Sequence, residues 1–230
     1  MTLLATALIL FVGSHFLLSH ALRAPLVGAV GEGGFTGVYS LIALATFGWA
    51  LFEWRRVPVN LLWMAPDWAW WGAAALMLIA SVLFVGSMTA PNPALMGAGR
   101  AAGGAAPRGV QRITRHPMMW AFALWAAVHG TLSGDARTVL LCVAVAVLAL
   151  VGARLQDGKK RGQLGSTWTA HEGATSFLPL GAQLRGRAAW STVFPGTVAL
   201  TGGVILYAAL TWAHPALMNA PQLGFWRALV

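Results

Sequence analysis

The sequence predicts an all-α, polytopic membrane bundle of about six transmembrane helices. Three observations predict it. Of 230 residues, 58% are hydrophobic and only 9% are charged, against roughly 25% charged in an ordinary soluble domain. Six apolar runs approach the roughly 20 residues that cross a 30 Å hydrocarbon layer. Basic residues gather in alternate loops, as the positive-inside rule requires. The same numbers exclude a disordered chain, because the apolar content is too high. A disulfide scaffold is excluded because Cys142 is the only cysteine.

The runs are residues 3–22, 35–52, 69–88, 118–132, 138–155 and 193–213. The first lacks a basic start and is followed by Arg23, so it reads as a retained helix and not as a cleaved leader. Loops one, three and five carry Arg23; Arg100, Arg108, Arg112 and Arg115; and Arg154, Lys159, Lys160, Arg161, Arg185 and Arg187. The opposite side carries Arg55, Arg56, Arg137 and Arg227, making 11 basic residues against 4. This asymmetry places the odd loops in the cytoplasm, both termini outside, and the chain in the cell inner membrane as one domain over residues 1–230. Trp54, Trp63, Trp68, Trp70 and Trp71 crowd one outside loop and fit an interfacial aromatic belt.

The net charge of +9 would suggest nucleic acid in a soluble protein. Here the charges are spread over loops, so the expected partner is the bilayer with its anionic headgroups, and nucleic acid is not expected. Two loops are long. Residues 89–115 are rich in Gly, Ala and Pro, including Ala90-Pro91-Asn92-Pro93 and Gly103-Gly104. Residues 156–190 are polar and basic but contain Trp168 and Phe177, which suggests folding back onto the membrane surface. Asp157 with Lys159, Lys160 and Arg161 reads as a solvated end of the fifth helix. Cys142 reads as a small apolar residue.

Ionisable side chains within a bilayer are costly and are functional candidates. His15 and His20 lie on the first helix, His116 opens the fourth and His129 lies inside it. With Arg23 and His116 at the cytoplasmic boundary, His20 is about 4.5 Å deep, His15 about 12 Å and His129 about 19 Å. His15 and His20 point about 140° apart on a straight helix. Two imidazoles on different helices suit the axial positions of a haem iron, and His15 with His129 is the expected pair. His20 and His116 are alternates. Trp125 shares a helical face with His129, as a porphyrin wall would. The competing reading is that each histidine bonds a neighbouring helix. Arg112 and Arg115, beside the free backbone N–H groups of a helix start at Pro117, form a candidate anion site and suit haem propionates.

These residues also carry a resemblance. His15–His20 with Arg23, Pro91-Asn92-Pro93, Thr114-Arg115-His116-Pro117-Met118-Met119-Trp120 with Leu124-Trp125 and His129, then Gly152, Gln156-Asp157, Lys160-Arg161 and Thr175–Pro179 together resemble the NnrU family of polytopic membrane proteins. That resemblance implies a role supporting nitrite and nitric oxide reductase in denitrification. The family includes the zeta-carotene isomerase, which implies haem b as cofactor, with haem-associated histidines falling on His15 or His20, His116 and His129. Ala126 stands where isomerases can offer a cysteine one turn before the last of these. A weaker likeness, Arg-His-Pro at a helix start followed by a basic junction, is similar to isoprenylcysteine-type methyltransferases and would imply S-adenosylmethionine. Haem protein, isomerase, assembly factor and methyltransferase all remain open at this point.

Overall fold

A computed structural model describes residues 1–89, 91–94 and 106–218. Ala90, Arg100, Gly103, Gly104 and Arg227 lie outside the described residues. Eight α-helices account for most of the described chain: α1 (Thr2–Ser19), α2 (Arg23–Arg56), α3 (Asp67–Thr89), α4 (Pro117–Ser133), α5 (Ala136–Leu164), α6 (Ser166–Ala174), α7 (Gly181–Leu184) and α8 (Thr197–Met218). Five of them, α1, α2, α3, α5 and α8, are long and apolar enough to cross a membrane. The remaining expected span is α4, whose 17 residues reach about 25 Å.

Several boundaries differ from the hydropathy reading, each for a local reason. The helix α1 stops at His20 (φ −123°, ψ −83°), whose Nδ1 lies 2.8 Å from Ser19 Oγ and 3.2 Å from the Phe16 carbonyl. His20 is therefore a cap, and the straight-helix angle between it and His15 does not apply. The helix α2 starts early but breaks at Gly31 (φ 72°, ψ 172°), a conformation that glycine adopts without steric cost. Arg23 on the short first piece pairs with Glu32 just past the break at 2.8 Å. The helix α5 runs on to Leu164 and ends before Gly165 (φ 53°); Asp157 and Lys160 of its polar turns are buried, and Arg161, Gly162 and Gln163 are exposed. In α8, Pro215 lies inside the helix, so His214-Pro215 belongs to its final turns.

The chain forms two compact units. The first comprises residues 1–65 and 129–148. Its core joins Leu4, Ala7 and Leu8 of α1 to Ala50 of α2 and Leu141 of α5, flanked by Phe47, Trp49 and Trp54. One end is closed by polar bonds between two loops. Asp135 accepts hydrogen bonds from the Asn60 N–H at 3.0 Å, Arg137 Nε at 2.8 Å and Thr138 Oγ1 at 3.1 Å. Burial would raise the Asp135 carboxyl, but these donors outweigh it and hold it below the ordinary carboxylate range. Arg137 also donates to the Trp54 and Val57 carbonyls and lies 4.6 Å over the Trp54 ring, which satisfies the C-terminus of α2. Trp54 and Trp63 of the expected belt donate to Thr138 and to the Thr131 carbonyl, while Trp68 and Trp71 are exposed.

The second unit comprises residues 66–128 and 149–230, described to residue 218. Here α3 and α8 meet through small residues. A side-chain carbon on Gly203 would lie 2.6 Å from the Val82 backbone, and one on Gly202 2.9 Å from Val85. Such close approach is the usual basis of helix association in lipid. Val110, Ala121 and Ala199 complete this core with Ala80, Val82 and Leu83.

The α4–α5 corner offers a test. Gly134 has φ 60°, and an added Cβ would collide with the Trp63 carbonyl. Gly134→Ala should cost at least ~1–3 kcal/mol from backbone strain alone. Gly13→Ala, in a helix with nothing within 4 Å, should stabilise slightly. Unfolding titrations of the two variants in detergent should therefore move in opposite directions.

Candidate functional site: a buried ionic cluster on Asp157

The cluster begins at the start of α4. Pro117 occupies the first helical turn, where its missing N–H costs nothing. Thr114 Oγ1 accepts the His116 N–H at 3.3 Å and donates to the Phe177 carbonyl at 2.7 Å. Trp120 Nε1 donates to the same carbonyl at 2.8 Å. The Arg115 N–H bonds the Ser176 carbonyl at 2.9 Å, and the Leu180 N–H bonds the Ile113 carbonyl at 2.8 Å. Residues 175–180 are thereby stapled to the first turn of α4. The expected return of this loop is observed, but its docking partner is protein. Trp168 is fully buried, and the Phe177 ring lies against His116, Trp120 and Arg115.

Arg115 and His116 then meet Asp157 of α5. Arg115 Nε lies 3.0 Å from both carboxylate oxygens and Nη2 lies 2.6 Å from Oδ2. His116 Nε2 lies 2.6 Å from Oδ1. Asp157 is 0% exposed, His116 3% and Arg115 7%. Glu172 of α6 extends the network, 3.5 Å from Arg115 and 2.8 Å from Arg161. The solvated end expected for α5 is thus wrong at Asp157 and at Lys160, which is 4% exposed. A carboxylate out of water is sustained only by partners on each oxygen, and the Arg-His pair supplies them.

The turn at Pro91–Ala94 belongs to the same structure. The Asn92 side chain, 1% exposed, accepts the Ala94 N–H at 2.9 Å. Gln156, beside Asp157, donates to the Ala94 carbonyl at 2.7 Å, and Gln111 donates to the Pro91 carbonyl at 2.9 Å. Four segments far apart in the chain therefore converge: 91–94, 114–120, 156–157 and 175–180.

Of the residues singled out from sequence, His116 and Arg115 come together here. Arg112 is exposed and donates to the Pro107 carbonyl at 3.0 Å, and Trp125 is half-buried on α4. The anion site expected at the helix start has its Arg115 and His116 N–H groups already bonded. His15, His20 and His129 fall in the first unit. His15 Nδ1 lies 2.6 Å from the Phe11 carbonyl, with its ring edge-on to Phe11 and Tyr39. His129 is half-buried. His20 Nε2 is buried without a hydrogen-bond partner.

Asp157, Glu172, Trp168 and His171 were not candidates from sequence. The available signal was Asp157 three and four positions before Lys160 and Arg161, which groups one acid with two bases on one helical face. His171 gave none: it is 6% exposed on a helix of only nine residues. Burial, then the positive charge of Arg115, pushes its imidazole down to about 4.

Two outcomes follow. Asp157→Asn removes the buried carboxylate that Arg115 and His116 both bond, leaves Arg115 only the longer contact to Glu172, and should cost ~3–5 kcal/mol, read by unfolding titration. His171 binds its proton less readily in the fold than in the unfolded chain. Between the unfolded value of about 6.5 and the folded value of about 4, the unfolded state therefore holds more protons. Stability should fall as the pH drops through that window, by at most ~1.4 kcal/mol per unit. His171→Phe should remove that part of the slope.

No curated protein and no solved structure matches this chain. The family model described as NnrU protein matches residues 3–222. The turn at Asn92, the Arg115-His116 pair, Gln156-Asp157 and the stapled loop all lie within that match, and the chain belongs to the NnrU family.

Proposed function

We propose that the chain is a multi-pass inner-membrane protein that binds haem b and supports nitrite and nitric oxide reduction. The observation that carries this reading is the state of the α1 imidazoles. His15 and His20 each direct Nδ1 at a carbonyl one helical turn back, at 2.6 Å and 3.2 Å. That second bond sets the tautomer that leaves Nε2 as the ligating nitrogen. The His20 Nε2 makes no hydrogen bond, so no protein group has to be displaced from it.

Among the described residues no three His, Cys, Asp or Glu side chains converge on a metal position. A porphyrin brings four nitrogens of its own, so one or two imidazoles suffice. In this reading α1 supplies one iron ligand, His15 or His20, and His129 of α4 the other. When bound, the haem would supply one-electron chemistry. The chain's own residues orient each ring through its bond to a backbone carbonyl and place it among apolar helices. Phe11 and Tyr39 restrict the His15 ring from two sides.

The alternatives are less well supported. A thiolate switch of the isomerase kind has Ala126 at its expected position, and Cys142 is on α5. A methyltransferase resting on Arg115 and His116 would need groups already engaged by Asp157 and Glu172. His116 as an iron ligand would likewise have to leave Asp157.

The reduced spectrum of detergent-purified protein is the test. Dithionite should produce sharp b-type α and Soret bands. Those bands should vanish in His129→Ala and in one of His15→Ala and His20→Ala. A folded, colourless protein purified from haem-sufficient cells would sink the reading. A deletion strain should have normal reductase transcripts but low reductase activity.

A further inference from the structure

Residues 181–196 lead from α7 to the start of α8, and the stretch is held to the protein at both ends. At one end Gln183 Nε2 donates to the Arg112 carbonyl at 2.9 Å. Arg187 donates to the Gly173 and Thr175 carbonyls at 2.8 Å and 3.1 Å. At the other end Pro195 packs closely on Gly109, where a Cβ would stand 2.5 Å from the Pro195 carbonyl oxygen. Between them Trp190–Thr192 forms a short turn, closed by the Val193 N–H on the Trp190 carbonyl at 3.2 Å. A stretch fixed in this way still turns its largest apolar side chains outward. Leu184 is 72% exposed, and Trp190 and Phe194 are 59% exposed each.

Position and charge identify what covers them. The helix α8 is long and apolar enough to cross a membrane, and a chain advances at most about 3.6 Å per residue. Phe194 therefore lies within about 11 Å of Thr197 at the entry of α8, and Trp190 within about 25 Å. The exposed apolar surface continues onto the first turn of α8 at Val198, which is 66% exposed. Arg185 and Arg187 are exposed beside Leu184, and no acidic residue follows Glu172 in the chain. Rings and leucines next to arginines suit the boundary of a bilayer. Aromatic side chains sit there at headgroup level, and cations meet lipid phosphates.

We propose that residues 184–194 form an interfacial membrane anchor. Leu184, Trp190 and Phe194 enter the headgroup–acyl boundary of the bilayer that α8 crosses, with Arg185 at the lipid phosphates. The anchor lies in the second unit and does not depend on the haem reading. Residues 175–180 dock on protein, so the loop is bound on both sides: by the start of α4 and by lipid. The bonds of Gln183 and Arg187 then fix the loop beside Asp157 at a set level relative to that boundary.

Nitroxide accessibility reads the depth. In a Cys142→Ala background, Leu184→Cys, Trp190→Cys and Phe194→Cys are each spin-labelled, with Ile205→Cys in the middle of α8 as the hydrocarbon reference. The full chain is reconstituted in phosphatidylcholine vesicles containing phosphatidylglycerol. Oxygen concentrates in hydrocarbon and a nickel chelate in water. The oxygen-to-nickel accessibility ratio at the three anchor positions should fall between that of Ile205 and that of a label free in buffer. Values equal to the free label at two or more positions put the segment in water and overturn the proposal. Labels shielded from both reagents reveal a protein cover, such as a second copy of the chain, and overturn it as well. Each position is read separately, so one variant that does not fold leaves two. On the unmodified chain, a phospholipid carrying a diazirine beside its headgroup should crosslink within residues 184–194. Crosslinks confined to other segments also overturn the proposal.

Discussion

The carboxylate of Asp157 is the constraint on which the second unit depends. It is fully buried, and each oxygen is held by Arg115 or His116 at hydrogen-bonding distance. A charge in that position is tolerated only while its partners stay in place. Those partners are adjacent residues at the start of α4, so the pairing fixes that start against the final turns of α5. The rest follows in order. The first turn of α4 holds residues 175–180 through Thr114 and Trp120. That loop follows α6, whose Glu172 closes the network on Arg115. Gln156, next to Asp157, ties down the turn at Pro91–Ala94.

The first unit is built on a different principle. Its α1–α2–α5 core is apolar, built of Leu and Ala side chains with flanking aromatics, and polar bonds are gathered at one end around Asp135 and Arg137. Within the helices the exceptions are few. His15 and His20 take backbone carbonyls of their own helix, and Glu53 is met by Trp49 at 3.2 Å. Both meet those carbonyls through Nδ1. This distinguishes these imidazoles from His116, which spends Nε2 on a carboxylate. Three of the histidines placed together by sequence thus divide by which nitrogen is engaged.

Membership of the NnrU family covers nearly the whole chain, and four of the motif segments behind the resemblance are gathered by the fold at Asp157. Pro91-Asn92-Pro93, Arg115-His116-Pro117, Gln156-Asp157 and Thr175–Pro179 are distant in sequence but joined by direct hydrogen bonds. The family pattern in this half of the chain accordingly reads as the set of residues that builds one buried polar junction.

Hydrophobic runs by themselves determined the class of this protein and located its apolar helices, five of which are long enough to span against the six expected. They succeed because crossing a hydrocarbon layer demands length and apolarity, which are properties of a local stretch of chain. The same reading misplaced the end of α5 and took Asp157 for a solvated residue. It did not single out His171, Trp168 or Glu172 as site residues, and it put His20 on a straight helix that in fact ends there. Only the tertiary structure decided these points. Whether a charged side chain is wet or buried depends on what stands opposite it. The hydrogen-bonding partners of Asp157 are more than 40 positions away, beyond the reach of any local pattern.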